Sequence, residues 1–183
     1  MNQIKFPNHI QLQETDIQIS ERFNILGVTF SCDLKVQNHI TNTVKKCNSM
    51  MYMLKIMKNH GLGEESLQDI FMAMVMSRLL YAVCSWYWLA MENDKKHMEK
   101  IVKRAKKLGY YKENCSLNNI IENRVDILFE TVKSPQHMLH ELLPPGINDR
   151  YELRKSAHGY QLLAINSIHD MRNFILHQLY KSI

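Results

Sequence analysis

Lysines recur at helical spacing in one segment of this chain. The set comprises Lys96, Lys100, Lys103 and Lys107, with Arg104 beside them. Steps of four, three and four residues place the lysines on one side of a helix, where like charges repel by about a few tenths of a kcal/mol per pair. Such a row binds the phosphates of a nucleic-acid backbone, because each bound phosphate relieves that repulsion. The alternative is an ordinary solvated helix face.

Basic residues are concentrated around this row. The segment between Lys95 and Lys112 holds eight Lys and Arg residues against one acid, Glu99, which gives it a charge of +7 in a chain whose net charge is +5. A local basic patch is the electrostatic footprint expected of a protein that binds a polyanion. Tyr110 and Tyr111 follow directly, and they either stack on bases or cover an edge of the core.

The chain lacks a recognisable catalytic centre. Polymerase chemistry needs paired carboxylates that hold two metal ions, whereas no two of the seven Asp residues are adjacent. His137 and His140 share a helix face, but Glu141 is their only close acid, so we interpret them as ordinary surface histidines. A phosphate-cradling GxxxxGK[ST] loop is absent from the sequence. We therefore predict no catalytic residue, no metal ligand and no cofactor.

Three amphipathic helices are predicted to position the basic row. Apolar residues at helical spacing predict a basic helix over 94–108 and further helices over 36–60 and 117–131. Ser134-Pro135 predicts the start of a short helix that ends near Leu143. In the first and the basic helix, the apolar faces are formed by Ile40, Val44, Cys47, Met51 and Leu54, and by Met98, Ile101, Val102, Ala105 and Leu108.

The segment 67–91 is apolar on all sides and predicts a central helix that is buried on every face. A membrane span is the competing interpretation, because about 20 apolar residues suffice to cross a bilayer. Arg78 lies near the middle of the segment, where an arginine costs about 2.5 kcal/mol or more on insertion scales. We therefore favour a buried helix and no membrane partner.

The amino-terminal 30 residues alternate between apolar and polar positions, which predicts two to four short antiparallel strands. Gly27 lies inside the apolar run 23–30, where a glycine often marks a bulge or a close backbone approach. The four cysteines are scattered without a C-x-x-C pair, which argues against a disulfide scaffold and favours an intracellular location, in the nucleus or the cytoplasm.

Two stretches resemble the reverse transcriptases of non-LTR retrotransposons, the jockey and CR1-like LINE elements. RFNILGVTFSCDLKVQNHI resembles the segment that follows the palm of these enzymes, although Ile25 and Val36 replace a Tyr and a Trp of the family pattern. YELRKSAHGYQLLAINSIHDMRNFILHQLY resembles their carboxy-terminal stretch, with Leu163 in place of a Pro. The matching positions are Leu26, Gly27, Val28, Phe30, Leu34, His39 and Ile40, then Tyr151, Leu153, Arg154, His158, Tyr160, Leu162, Asn173, Phe174, Leu179 and Tyr180.

The residue patterns predict a mainly α fold, with a helical bundle around a central buried helix and a small N-terminal antiparallel β element, and the resemblance implies that this bundle is thumb-like. The implied organisation is short strands at the palm–thumb junction over 1–34, a thumb-like core over 35–112 and a helical extension over 113–183. The catalytic aspartates of the family lie upstream of the matching region, so the resemblance implies a non-catalytic fragment of an RNA-directed DNA polymerase.

The implied partners are RNA or an RNA–DNA duplex, bound weakly and without sequence preference, and a palm domain supplied in trans. Two other interpretations remain open from the residues. One is a structural remnant or helical interaction domain without a selected activity, for which an apolar surface left exposed by the missing palm would be expected. The other is a single-span membrane protein.

Overall fold

The computed structural model describes residues 9–12, 15–18, 20–146 and 159–181. Within these ranges the protein is mainly helical, with small antiparallel β elements near the N-terminus, which confirms the predicted fold class. One hydrophobic core runs from Val28 to Val125 and joins the helices to the second hairpin.

Four short strands form two separate antiparallel hairpins. Strands β1 (His9–Leu12) and β2 (Thr15–Gln18) pair with each other, as do β3 (Arg22–Ile25) and β4 (Val28–Ser31). Ile25 pairs with Val28, so Leu26 and Gly27 form a two-residue turn, with φ of 47° and 84°. Positive φ at both positions is the geometry that matches the twist of a hairpin. Gly27 therefore lies in a turn and not in a bulge, and the alternative of a close approach agrees with its position beside the Tyr81 ring.

The three amphipathic helices are present close to their predicted bounds. They are α1 (Gln37–Asn59), α5 (Glu92–Leu108) and α6 (Leu117–Val132). Along the predicted face of α1, Ile40, Cys47, Met51 and Leu54 are buried and Val44 is half-buried. Helix α5 packs against both α1 and α6. The apolar spacing thus identified the buried face of α1 correctly.

The central apolar segment is broken into several short pieces. Helix α2 (Glu64–Ile70) continues through a π-helical stretch (Phe71–Met76) into the turn α3 (Ser77–Leu79), and α4 (Val83–Trp86) then leads into a 3₁₀ turn (Tyr87–Leu89). Ala82 has a φ of 47°, a left-handed conformation that no helix continues through. The Trp86 indole N–H donates to the Tyr81 carbonyl at 3.0 Å across this break. The prediction of one continuous helix is therefore wrong.

The central segment is also exposed along one side. Met72 is 38% and Tyr81 52% exposed, and only 44% of the most apolar part of Glu64–Leu89 is buried. Burial on every face is therefore a wrong prediction. By length and composition alone, Glu64–Leu89 could cross a membrane, a criterion that the core helix of a soluble protein also meets.

After α6 the chain forms turns where a short helix was predicted. The His137 amide donates to the Ser134 carbonyl and the His140 amide to the His137 carbonyl, both three residues back. These bonds lead into a single 3₁₀ turn (His140–Leu142), so the prediction of a helix from Ser134 is wrong. Met138 is 86% and Leu142 62% exposed, so this stretch has little apolar face that could stabilise a short helix by packing on the core.

The carboxy-terminal elements are held on α6. Helices α7 (Ile168–Met171) and α8 (Phe174–Lys181) follow an extended stretch, and Leu179 of α8 is fully buried. The Gln178 side-chain amide and the Lys181 ammonium both donate to the Asp126 carboxylate at 2.9 Å. The matched positions Tyr151, Leu153, Arg154 and His158 lie outside the described residues.

Candidate nucleic-acid interface

Helix α5 presents opposite faces to the core and to solvent. Met98, Ile101, Val102 and Ala105 are buried, whereas Leu108, at the last position of the helix, is 39% exposed. All four lysines of the predicted row are exposed on the other side. We call this surface the lysine face, and it consists of Lys96, Lys100, Lys103 and Lys107.

Within the ranges that the structure describes, the charge of the lysine face is compensated only at its start, where Lys95 and, more weakly, Lys96 lower the pKa of Glu92. Among the described residues, no carboxylate lies within 4.0 Å of any of its four ammonium groups. The one acid of the basic segment, Glu99, accepts the Leu117 amide at 3.0 Å instead. There it stabilises the amino terminus of α6, where Ser116 also caps the helix by accepting the Asn119 amide at 3.1 Å.

Three other basic residues of the segment have structural roles. Lys95 pairs with Glu92 at 2.9 Å and lies 4.9 Å from the centre of the Tyr87 ring. Lys106 donates to the Cys115 carbonyl at 2.7 Å, and Lys112 forms an ion pair at 3.2 Å. These side chains tie α5 to its neighbours. The structure thus separates the basic residues that hold the fold from those that face solvent freely.

Arg104 joins the basic helix to α1. Its Nη2 donates to the Asn48 amide oxygen at 2.6 Å, and the residue remains exposed. An arginine has five N–H donors, so this bond leaves others that can reach a phosphate. Lys55 follows Asn48 by two helical turns and is exposed on the same side of α1. Sequence reasoning missed Lys55, because the pairing of α1 with α5 depends on contacts between distant residues.

The carboxyl end of α5 is fixed by a lysine of α1. Gly109 has a φ of 80°, and the Tyr110 amide donates back to the Ala105 carbonyl at 2.9 Å. The Lys58 ammonium donates to the Leu108 carbonyl at 2.9 Å and lies over the Tyr110 ring. A cation at this end is favourable because the last carbonyls of a helix carry partial negative charge.

Tyr110 and Tyr111 belong to the core. They are 1% and 2% exposed, and Tyr111 packs against Phe71 with 5.4 Å between ring centres. Burial and a hydrogen bond to Glu113 raise the pKa of the Tyr111 hydroxyl to about 12. The alternative that these rings stack on bases is therefore wrong, and they cover the edge of the core.

The carboxylates and histidines serve the fold. Hydrogen bonds from Lys35 and Ser31 lower the pKa of Asp33 to about 2. His137 Nδ1 accepts the Leu139 amide at 3.2 Å, and His140 Nδ1 lies 3.1 Å from the Val132 carbonyl. Within the part of the chain that the structure describes, His, Cys, Asp and Glu side chains nowhere assemble in threes as metal ligands.

The arrangement places exposed positive charge along one helix face, which favours the approach of an anion. Contacts from such a face would be to phosphates, which position a nucleic acid without reading its sequence. Comparison with protein-family models, with curated proteins and with solved structures finds no match to this chain.

Proposed function

We propose that this chain is a non-catalytic carboxy-terminal fragment of an RNA-directed DNA polymerase from a non-LTR retrotransposon. In this proposal it binds template–primer nucleic acid, either RNA or an RNA–DNA duplex, through backbone phosphates. Lys96, Lys100, Lys103 and Lys107 make the phosphate contacts, and Arg104 adds one beside α1. The family assignment rests on the residue patterns given above.

One observation carries the binding proposal. Four ammonium groups lie on one exposed helix face, and Glu99, the one acid between Lys95 and Lys112, is occupied at the start of α6. Such a face repels itself at low ionic strength, because the Debye length of about 10 Å at 0.1 M salt exceeds the spacing of neighbouring turns. A polyanion relieves this repulsion and releases its own counterions on binding.

A salt titration tests the proposal. Fluorescence anisotropy with a labelled RNA–DNA duplex is measured for the wild type and for the double variant Lys100→Gln/Lys103→Gln. For B-DNA each phosphate contact adds about 0.9 to the steepness with which log K falls against log salt. We therefore expect the double variant to have a slope that is shallower by about 1.8. Both positions are exposed, so the melting temperature should stay nearly unchanged.

A charge-matched control separates a binding face from a general effect of net charge. Lys35→Gln/Lys133→Gln also removes two positive charges, but these lysines pair with Asp33 and Glu130 away from α5. The control should keep the wild-type slope. Equal slopes for both double variants, or an affinity that does not change with salt, would contradict the proposal.

The absence of polymerisation is a separate expectation. Nucleotide addition requires carboxylates that hold two metal ions. In the described part of the chain Asp69, Asp94 and Asp126 lie on three different helices, and Asp94 is buried. Primer extension with Mg²⁺ or Mn²⁺ should give no product above a protein-free control, and template-dependent extension would refute this part of the proposal.

A helical interaction domain without nucleic-acid binding is the second candidate. It is favoured by apolar side chains exposed at the second hairpin, where Leu26 is 85% and Ile25 54% exposed. A palm domain supplied in trans is the partner expected at that surface. Circular dichroism should then show a broad, weakly cooperative melt for the chain alone, because its packing would be completed only by the partner.

A further inference from the structure

A second positively charged site lies between the β3–β4 hairpin, α1 and α3. It is a cavity of about 580 Å³, within the usual size of small-molecule sites. Each of the three elements contributes polar side chains to its wall. They include Asn24, Thr29, His39, Lys46, Arg78 and Tyr81.

The charged residues that the structure describes at this cavity are of one sign. Lys46 and Arg78 line it, and none of its described lining residues is an Asp or a Glu. Neither residue has an ion pair with the described residues. Burial and the charge of Lys46 lower the pKa of His39, so its ring is neutral and supplies one N–H donor near pH 7. The cavity thus favours a ligand that carries negative charge and accepts hydrogen bonds.

Arg78 brings a guanidinium group to this site. The residue is half-buried and lines the cavity, although its Nε is itself buried and out of reach of a ligand. The planar guanidinium matches the oxygens of a phosphate, to which its Nη groups can donate.

We propose that this cavity binds the phosphate group of a small phosphorylated molecule, with Arg78 and Lys46 as the cationic ligands. A phosphate monoester carries about −1.5 to −2 charges at pH 7, which matches two cations better than the single charge of a backbone diester does. Asn24, Thr29 and His39 add hydrogen-bonding groups in the same cavity. Its volume leaves room for the group that bears the phosphate.

The phosphate site is separate from the lysine face. Lys46 precedes Asn48 by two residues, which turns its side chain about 200° around α1, away from the contact with α5. The inference goes beyond the proposed function, because loss of duplex binding would leave this cavity intact.

Calorimetric titration of the full chain tests the inference, with AMP, inorganic phosphate and adenosine as probes. Lys46→Gln and Arg78→Gln should each weaken AMP binding by about tenfold, the loss expected for a charged hydrogen bond. Lys55→Gln, on the other side of the same helix, is the control and should bind AMP like the wild type. Lys46 is exposed, so its variant remains informative if the half-buried Arg78 proves necessary for folding.

The relative affinities of the three probes show whether the cavity binds a phosphate group. Binding of AMP and inorganic phosphate with similar affinities, and none of adenosine, supports a site for the phosphate group itself. Tighter binding of AMP than of phosphate supports a site that also holds the nucleoside. Equal binding of adenosine and AMP, wild-type affinity in Lys46→Gln, or no heat with any probe at millimolar concentration would overturn the inference.

Discussion

The Tyr81 hydroxyl adds a polar link between the second hairpin and the helical core, beside the apolar contacts of Val28. The Tyr81 hydroxyl donates to the Leu26 carbonyl at 2.8 Å, across 55 residues of sequence. Gly27 lies under the same ring, and a Cβ added there would stand 3.6 Å from the Tyr81 ring. The contact orients the hairpin turn, and with it the wall of the phosphate cavity that Asn24 and Thr29 provide.

Removing this hydroxyl should destabilise the protein modestly. We expect Tyr81→Phe to lower the free energy of unfolding by about 0.5–1.5 kcal/mol, because the Leu26 carbonyl loses its donor. Urea denaturation measures the change. Tyr52→Phe is the matched control, since Tyr52 is 65% exposed, and it should leave the midpoint unchanged. Equal effects of the two substitutions would show that the Tyr81 hydroxyl contributes nothing specific.

At the scale of secondary structure, the sequence predicts elements that bury one face. Helices α1, α5 and α6 were located because each repeats apolar residues at helical spacing. The break at Ala82 could not be located, because alanine is a strong helix former and tertiary contacts impose its left-handed conformation. The turn at Leu26 was missed for the same reason, since its φ of 47° is uncommon for leucine.

At the candidate interface, too, the exposure of side chains could be predicted from the sequence, but their contacts with other elements could not. Exposure of Lys96, Lys100 and Lys103 followed from their distance around the helix from the apolar face. The contacts of Lys106 and Arg104 could not be predicted, because their acceptors belong to other elements. Periodicity identifies which face of a helix is buried, but it does not identify the neighbour that a polar side chain will reach.

The break in the central segment offers a stabilising substitution. We expect Ala82→Gly to raise the free energy of unfolding by about 0.5 kcal/mol. The left-handed conformation of Ala82 costs about 1–2 kcal/mol, and glycine adopts it without that cost. The greater backbone entropy of glycine in the unfolded chain offsets part of this gain. Ala73→Gly, an exposed position in the π-helical stretch, should instead cost about 1 kcal/mol. If both glycines destabilise equally in thermal melts, the strain at Ala82 is negligible.

Glu99 should act on α6 and leave nucleic-acid binding unchanged. Glu99→Gln removes a charge from the amino terminus of that helix, and we expect a loss of about 0.5–1 kcal/mol in urea denaturation. Glu21→Gln, at an exposed position before β3, is the control and should be neutral. A steeper salt dependence of duplex binding in Glu99→Gln would mean that Glu99 already screens the lysine face.

Across the whole molecule, a buried and a half-buried histidine are packed against the two tryptophans. His177 of α8 stacks on Trp88 with 3.6 Å between ring centres, and His39 of α1 meets the edge of Trp86 at 5.1 Å. Burial lowers the pKa of both histidines, and the charges of Lys181 and Lys95 lower that of His177 further. The folded protein thus holds both rings neutral, at the attachment of the first and of the last helix.

Stability should therefore fall as the pH drops below the ordinary histidine pKa of about 6.5. In that range the unfolded chain binds protons that the folded chain excludes, so folding weakens by up to about 1.4 kcal/mol per pH unit for each histidine. Above that pKa the folded and the unfolded chain bind the same number of protons at these histidines, so stability no longer depends on pH through them. Urea midpoints at pH 7.5, 6.5 and 5.5 should decrease in this order for the wild type.

Variants assign this pH dependence to individual rings. His177→Gln and His39→Gln should each flatten the decline between pH 6.5 and 5.5, whereas His60→Gln, at an exposed position after α1, should retain it. Loss of the stack on Trp88 will also lower the stability of His177→Gln at every pH, so the slope is the informative quantity. A slope that stays unchanged in both variants would place the titrating groups elsewhere in the chain.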